Sequence, residues 1–231
     1  MRTQVVLRQE RKFLLTADQA LRCERDLAPF TRPDIYNVPG GYRVRSLYFD
    51  TFLDKDYWDK AGGYPTRRKM RLRSYHPDSG YAQLEMKQKE GKDQRKRSLS
   101  LERDEAEAVA RGDFACLIQS KDPFAAECYG VLTTEGYLPK VVIEYRRTAY
   151  TLPTNSIRIT FDRDIRATGS DLDLFAREFT GTPLLPDFHV ILEVKYNHFL
   201  PTFLRDALRV TDESESAASK YAMGRVGKTV I

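Results

Sequence analysis

Residues 67–75 read RRKMRLRSY, and residues 81–89 read YAQLEMKQK. The residues between them, 77–80 (PDSG), are typical of a turn, so the two stretches predict a β-hairpin. Side chains two residues apart in a strand lie on the same face. One face of the first strand therefore carries four cations in a row: Arg67, Lys69, Arg71 and Arg73. The matching face of the second strand carries Gln83, Glu85, Lys87 and Lys89.

Other predicted strands repeat this alternation of charged and apolar faces. Charged or polar side chains share one face in three further sets: Arg8, Glu10 and Lys12; Arg158, Thr160 and Asp162; Glu193 and Lys195. An antiparallel sheet with one solvated face also alternates in this way. Four adjacent cations, however, repel one another unless an anion compensates them. Arginine suits phosphate because its planar fork donates two hydrogen bonds, whereas lysine acts as a point charge.

The order of predicted elements favours an α+β fold whose strands form an antiparallel sheet. The predicted strands are Thr3–Leu15, Tyr42–Asp50, Arg67–Tyr75, Tyr81–Lys89, Gln94–Leu101, Lys140–Tyr150, Ile157–Asp164 and Phe188–Tyr196. One helix is predicted directly after a capping box at Thr16–Gln19. Further helices are predicted at Asp104–Arg111, Pro123–Leu132, Pro201–Leu208 and Ser216–Arg225. Residues 55–63 are predicted as a short helix or loop. Eight such strands can close into a barrel with peripheral helices, and one domain of residues 1–231 accommodates them.

Composition and net charge restrict the possible classes of function but do not identify one of them. The net charge is +5 and the pI about 9.0, which suits an anionic partner such as nucleic acid, an acidic membrane or polyphosphate. The polar start of the chain argues against a signal peptide, and no apolar run approaches the roughly 20 residues of a membrane span. Three cysteines without CxxC spacing indicate reduced thiols and a cytoplasmic location, and three scattered histidines argue against a zinc site.

Carboxylates among the cations admit two interpretations. Glu10, Glu85 and Glu193 could hold a hard divalent metal that bridges phosphate oxygens. Each could instead be an ion-pair partner that orients an arginine, and this second interpretation is favoured for Glu85.

Eight motifs in series, from residue 8 to residue 221, resemble the VTC domain. The resemblance rests on residues 8–13 (RQERKF), 45–51 (RSLYFDT), 69–73 (KMRLR), 84–87 (LEMK), 145–149 (YRRTA), 158–162 (RITFD), 191–195 (ILEVK) and 219–221 (SKY). VTC domains are the catalytic domains of the vacuolar transporter chaperone polyphosphate polymerases, within the triphosphate tunnel metalloenzyme superfamily. The sequence shows neither the regulatory SPX domain nor the membrane helices of the eukaryotic proteins, so it resembles the stand-alone bacterial form.

The resemblance implies an eight-stranded tunnel in which the γ-phosphate of ATP is transferred to a growing polyphosphate chain. It assigns the catalytic cations to Lys12, Arg71, Arg73, Lys87, Arg147 and Lys220, and a catalytic Mn²⁺ or Mg²⁺ to Glu193. The substrate-binding lining would comprise Arg8, Glu10, Arg45, Lys69, Glu85, Lys89, Arg158, Lys195 and Ser219. The expected partners are ATP, triphosphate and polyphosphate, with room for a membrane-protein partner.

Three functions remain open from the sequence. A polyphosphate polymerase is favoured, with a tripolyphosphatase or nucleoside triphosphatase on the same fold as the alternative. The third is a non-enzymatic module that binds polyphosphate or another polyanion. Nucleic acid is not expected, because the basic strands lack an aromatic platform on which RNA bases could stack. Arg8 stands where the wider superfamily often has a first glutamate, which argues against several metal carboxylates.

Overall fold

The computed structural model describes residues 8–91, 93–186, 188–209 and 219–226, and β-strands are the main regular structure among them. Ten strands are formed within the described part of the chain: β1 (Arg8–Thr16), β2 (Arg32–Pro33), β3 (Tyr42–Thr51), β4 (Thr66–Ser74), β5 (Tyr81–Glu90), β6 (Asp93–Glu102), β7 (Tyr137–Leu152), β8 (Ile157–Thr168), β9 (Thr182–Pro183) and β10 (His189–Asn197). The helices described there are α1 (Ala17–Leu27), α2 (Lys55–Ala61), α3 (Arg103–Ala110), α4 (Ala115–Gln119), α5 (Pro123–Thr134), α6 (Thr202–Ala207) and α7 (Lys220–Val226), with a short 3₁₀ helix at Thr154–Ser156.

The strand pairs whose register is described are antiparallel, which confirms the predicted α+β class. The hydrogen-bonded order is β1-β10-β8-β7-β3-β4-β5-β6, with β2 beside β7 and β9 beside β8. Strands β1 and β6 are the two ends of this order, so the pairings in the described residues form an open path rather than a closed ring. None of the helices in the described ranges is both long and apolar enough to cross a bilayer.

Local signals in the sequence account for most element boundaries. Thr16 caps α1: its hydroxyl accepts from the Gln19 amide, and the Gln19 side chain accepts from the Thr16 amide, which confirms the capping box. Helix α3 ends just before Gly112, which adopts the left-handed conformation at a φ of 88° that glycine tolerates. The predicted hairpin is confirmed by β4 and β5, whose register pairs Arg71 with Glu85.

Several boundaries differ from those predicted. Strand β7 is longer at both ends than the predicted Lys140–Tyr150, and helix α4 was not predicted, because five residues carry too little periodicity to be recognised. The predicted strand at Thr3–Leu15 is observed from Arg8, and residues 3–7 lie outside the described part. Similarly, the predicted helix Ser216–Arg225 is observed from Lys220, and residues 216–218 are not described.

The chain divides into two compact units, and unit 1 comprises residues 1–43, 145–165 and 185–219. Its core is one apolar face of β1, β8 and β10, covered by α1 and α6. Phe13, Leu192 and Phe161 form one cross-strand row of this face and are buried. The adjacent row, Lys12, Glu193 and Thr160, belongs to the opposite face because side chains alternate along each strand.

Unit 2 comprises residues 44–144, 166–184 and 220–231. Its core packs one face of β3, β4 and β5 against α3, α4 and α5, with Leu47, Met70 and Leu84 among the fully buried residues. The opposite face carries cross-strand rows of charged residues. The rows across β4, β5 and β6 are Arg67–Lys89–Gln94, Lys69–Lys87–Lys96, Arg71–Glu85–Ser98 and Arg73–Gln83–Ser100.

Candidate phosphate-binding site

Glu193 is the centre of a charged cluster in unit 1. This unit 1 cluster comprises Glu10, Lys12, Arg147, Asp162, Glu193 and Lys195. The Glu193 carboxylate lies 3.0 Å from Nζ of Lys195 and 4.0 Å from Nζ of Lys12. Its other oxygen lies 4.0 Å from Nη2 of Arg147. Three cations supplied by strands β1, β7 and β10 therefore surround one carboxylate whose side chain is only 10% exposed.

Charge keeps Glu193 ionised although it is buried. Burial alone would raise the pKa of its carboxyl, but Lys195, Lys12, a hydrogen bond with Glu10 and Arg147 together hold that pKa well below its ordinary value. For Lys195 the balance is the reverse. Burial lowers the pKa of its ammonium, and the attraction of Glu193 only partly offsets that effect. The cluster is thus a compact set of fixed charges in which three carboxylates face three cations.

Arg147 is held by a second carboxylate. Its Nε donates to Oδ1 of Asp162 at 2.6 Å and its Nη2 to Oδ2 at 2.8 Å. The guanidinium also lies over the ring of Tyr145, 5.2 Å from its centroid, which is within the range of a cation–π contact. Asp162 is fully buried, so the orientation of the guanidinium is fixed from within the unit.

Glu85 organises the corresponding cluster in unit 2. This unit 2 cluster comprises Tyr48, Arg71, Arg73, Glu85 and Lys96. Nε and Nη2 of Arg71 both lie 2.6 Å from Oε2 of Glu85, Lys96 donates to Oε1, and Nη1 of Arg73 lies 3.9 Å away. Burial would raise the pKa of Glu85, but Arg71, Arg73 and Lys96 lower it to about 2. Glu85 therefore acts as an ion-pair partner, as its favoured interpretation expected.

The two arginines of this cluster are also held from β3. Nη1 of Arg71 donates to the Tyr48 hydroxyl at 2.9 Å, and Nε of Arg73 donates to Oγ of Ser46 at 3.2 Å. Both contacts follow from the register, which pairs Tyr48 with Arg71 and Ser46 with Arg73. The guanidinium of Arg71 is thus fixed on two sides.

The neighbouring cross-strand row consists of three lysines, Lys69, Lys87 and Lys96. Like charges directly opposite one another destabilise a sheet. Glu85 contacts this row through Lys96. Such an arrangement favours an anion as a compensating ligand.

Lys220 is the first residue of α7, which contacts β3 and the residues that follow it in unit 2. The Tyr221 hydroxyl donates to Asp50, and Arg225 forms an ion pair with Asp54. The ring of Tyr221 stacks on that of Tyr48 with centroids 5.2 Å apart. Lys220 therefore belongs to the same unit as Arg71. It directly precedes Tyr221, whose ring stacks on Tyr48 of the unit 2 cluster.

A protein-family comparison covers nearly the whole chain. The model of the VTC domain matches residues 7–226. The chain belongs to the VTC domain family. A comparison with curated proteins gives no match.

Solved structures similar to this VTC domain share its fold at low sequence identity. A proposed adenylate cyclase from Bacillus halodurans has a TM-score of 0.55 and 11% identity, with 91% of this chain and 92% of that chain covered. A proposed adenylate cyclase from Vibrio parahaemolyticus has a TM-score of 0.52 and 11% identity, with 95% and 98% covered. A proposed adenylyl cyclase from Hippeastrum, with a dominant triphosphatase activity, has a TM-score of 0.52 and 14% identity, with 95% and 97% covered.

Not every residue expected in the lining of the VTC domain lies in a cluster. Arg45 is only 2% exposed, and its guanidinium bonds Glu144 and the carbonyls of Leu174 and Ala176. It shares a strand face with the core residues Leu47 and Phe49, so the alternation of β3 places it opposite Tyr48.

The remaining expected residues have varied surroundings. Arg158 is paired with Asp34 and the Tyr42 hydroxyl. Lys89 is partly exposed in the row next to Lys87, and Ser219 is buried directly before α7. The side chain of Arg8 lies outside the described part of the structure.

Three residues of the clusters were not among the site residues predicted from the VTC domain sequence. Lys96 continues the charged alternation into β6, a signal that strand periodicity could have revealed. Tyr48 and Asp162 lie on the charged faces of β3 and β8, but their roles depend on contacts with Arg71 and Arg147. No local sequence pattern predicts such contacts, because the partner residues come from other strands.

A divalent metal is implied by the resemblance, and the carboxylates of unit 1 fit one. Within the described residues there is no group of three or more potential acidic, histidine or cysteine ligands. Glu193 and Glu10 are nevertheless neighbours, since their carboxylates lie 4.0 and 3.1 Å from the same Nζ of Lys12. Mg²⁺ is commonly held by one or two carboxylates, with phosphate oxygens and water completing its shell. Two acidic side chains therefore suit a metal that arrives with a phosphate substrate.

Proposed function

We propose that this VTC domain is a polyphosphate polymerase that transfers the γ-phosphate of ATP to a growing polyphosphate chain. The observation that carries the proposal is the fixed guanidinium of Arg71, held by Glu85 on one side and by Tyr48 on the other. A preorganised cation costs little further ordering when an anion binds, and its planar fork matches phosphate oxygens. Membership of the VTC family supports the same substrate class.

The cations of each unit would bind phosphate groups. In unit 2 these are Arg71, Arg73, Lys69, Lys87, Lys89, Lys96 and Lys220, and in unit 1 they are Lys12, Arg147 and Lys195. Charge accumulates on the oxygens of the transferred phosphoryl group, so fixed cations lower the barrier by electrostatic stabilisation. The VTC resemblance further implies a single domain and an eight-stranded tunnel, and both remain part of this proposal.

Glu193, with Glu10 beside it, would hold the divalent metal. Mg²⁺ or Mn²⁺ would supply neutralisation of charge on the phosphate oxygens. Lys12, Lys195 and Arg147 keep Glu193 ionised and would themselves bind phosphate. Asp162 orients Arg147 through two hydrogen bonds.

The reaction needs no covalent intermediate with the protein. A terminal phosphate oxygen of the growing chain attacks the γ-phosphorus of ATP, a new P–O bond forms, the bond to the β-phosphate oxygen breaks, and ADP leaves. Binding two polyanionic reactants side by side is unfavourable in water. The cationic clusters would offset that repulsion and align the reacting groups.

A triphosphatase is the second candidate. The observation that favours it is the fold that this chain shares with the Hippeastrum protein, which has a dominant triphosphatase activity. The same cations would serve when water is the attacking group.

A cytoplasmic location of the protein is also part of the proposal. The three free cysteines, two of them buried, suit the reducing cytoplasm.

One assay separates these functions. The purified protein is incubated with ATP and Mn²⁺, the products are run on a gel stained for polyphosphate, and free phosphate is measured in parallel. A ladder of long chains supports the polymerase. Phosphate release without a ladder replaces it by the triphosphatase. Tripolyphosphate binding without either product would leave a polyanion-binding module.

A further inference from the structure

Tyr48 is a buried tyrosine on the charged face of β3. Tyr48 is 6% exposed, and the strand register places it directly opposite Arg71. Its ring stacks on Tyr221, whose hydroxyl is anchored to the buried carboxylate of Asp50. The position of the Tyr48 ring is therefore fixed from the side of α7.

The hydroxyl of Tyr48 acts as a hydrogen-bond acceptor, but it has no partner as a donor within the described residues. It accepts a hydrogen bond from Nη1 of Arg71 at 2.9 Å. A phenol can also donate one hydrogen bond, and buried donors in proteins are nearly always paired. Among residues 8–91, 93–186, 188–209 and 219–226, the structure shows no acceptor for the Tyr48 proton.

The groups around this hydroxyl are cations, which have no acceptor to offer. Burial would raise the pKa of Tyr48, but the positive charges of Arg71, Arg73 and Lys220 bring it below its ordinary value. These are three of the cations that the proposed function assigns to phosphate. An oxygen of a phosphate bound there would provide the missing acceptor.

We propose that Tyr48 is a further substrate-binding residue, whose hydroxyl donates a hydrogen bond to a phosphate oxygen of the substrate held by Arg71. The inference rests on the proposed function, since the acceptor belongs to its substrate. A hydroxyl adds a directional donor at a point where the cations alone supply charge. Hydrogen bonds to ionised acceptors are shorter and stronger than neutral ones.

The test measures the affinity for inorganic tripolyphosphate by isothermal titration calorimetry. Tyr48→Phe keeps the ring and its stacking on Tyr221 but removes the hydroxyl. We expect its affinity to fall about tenfold or more, as for other hydrogen bonds to charged groups. Tyr196→Phe is the matched control. Tyr196 is equally buried at 6% exposure, and its hydroxyl donates to Gln9 in unit 1 instead of facing phosphate-binding cations.

A double-mutant cycle separates direct binding from positioning of Arg71. If Tyr48 contacts phosphate itself, Tyr48→Phe still weakens binding in the Arg71→Ala background, by a factor that can differ from that in the wild-type protein because the two residues are in contact. An effect that disappears in the Arg71→Ala background would make Tyr48 a positioning residue and overturn the inference. So would unchanged affinity of Tyr48→Phe in a wild-type protein that binds tripolyphosphate.

A spectroscopic measurement requires no substitution in the site. In the wild-type protein labelled with ¹³Cζ-tyrosine, bound tripolyphosphate should raise the pKa of Tyr48, because an anion disfavours the phenolate. An unchanged Tyr48 titration at saturating tripolyphosphate contradicts the inference while leaving the proposed function intact. Absence of any tripolyphosphate binding by the wild-type protein would instead overturn the proposed function itself, and this inference with it.

Discussion

Arg147 and Asp162 form a fork-to-fork ion pair within unit 1, with hydrogen bonds of 2.6 and 2.8 Å. Asp162 is fully buried, and the Arg147 side chain is 11% exposed. Charged partners in such a place are costly to desolvate, so their retention calls for a reason other than stability alone. Here the pair fixes the direction of a cation that also lies 4.0 Å from Glu193.

Replacing Asp162 by Asn leaves Arg147 buried without its anionic partner. We expect the free energy of unfolding to fall by about 3 kcal/mol, within the range for breaking a buried pair. Urea denaturation measures this. The control is Asp18→Asn, which removes an exposed ion pair with Arg22 and should change stability little. Equal effects of the two changes would show that Arg147 does not depend on Asp162.

Glu193→Gln should abolish turnover while tripolyphosphate binding largely persists. The amide removes the negative charge proposed to hold the metal but leaves Lys12, Lys195 and Arg147 to bind phosphate. Product formation and calorimetric affinity are measured on the same preparation. Wild-type activity that survives excess EDTA would exclude the metal role of Glu193.

Arg71→Ala should weaken binding and slow turnover by about 1.5 to 3 kcal/mol, the range for hydrogen bonds to charged groups. Arg25→Ala is the control, because Arg25 lies exposed on α1, where it pairs with the adjacent Asp26. It carries the same charge outside both clusters. Comparable losses in the two variants would mean that bulk charge governs binding, as in a nonspecific polyanion binder.

Asp56 should make the stability of the protein depend on pH. Burial and the neighbouring Asp50 raise its pKa to about 7, from 3.8 for an unperturbed carboxyl. Between these values the folded protein keeps a proton that the unfolded chain releases, so stability falls as the pH rises from about 4 to about 7. Asp56→Asn, which can still accept from the Tyr137 hydroxyl, should remove this decline.

Melting temperatures across that pH range measure the effect of Asp56. Asp104→Asn, at an exposed position on α3, is the control and should retain the slope of the wild-type protein. A slope that persists in Asp56→Asn would assign the pH dependence to other groups.

Lys220→Ala should impair turnover much more than folding. The ammonium contributes to the positive potential around Tyr48, whereas α7 is anchored by Tyr221 and Arg225, which the substitution leaves in place. Turnover and melting temperature are compared with those of Lys121→Ala, an exposed lysine outside both clusters. Full activity of Lys220→Ala would remove Lys220 from the site.

The sequence alone determined the alternation of faces and therefore which side chains could act together. Arg71, Arg73 and Glu85 were predicted on the charged faces of a hairpin, and the register pairs Arg71 with Glu85. This works because the two-residue period of a strand and the chemistry of a turn are local properties. The capping box at Thr16 was predictable for the same reason.

Tertiary structure alone decided which charges meet and which are consumed within the fold. Arg45 and Arg71 are both strand arginines, yet Arg45 bonds Glu144 and two carbonyls, while Arg71 is held by Glu85 and Tyr48. Asp162 likewise acquires its role only through Arg147. Such contacts join residues that are far apart in the chain. They depend on strand order and burial, which fix the distance and the dielectric surroundings that decide the strength of every charged interaction.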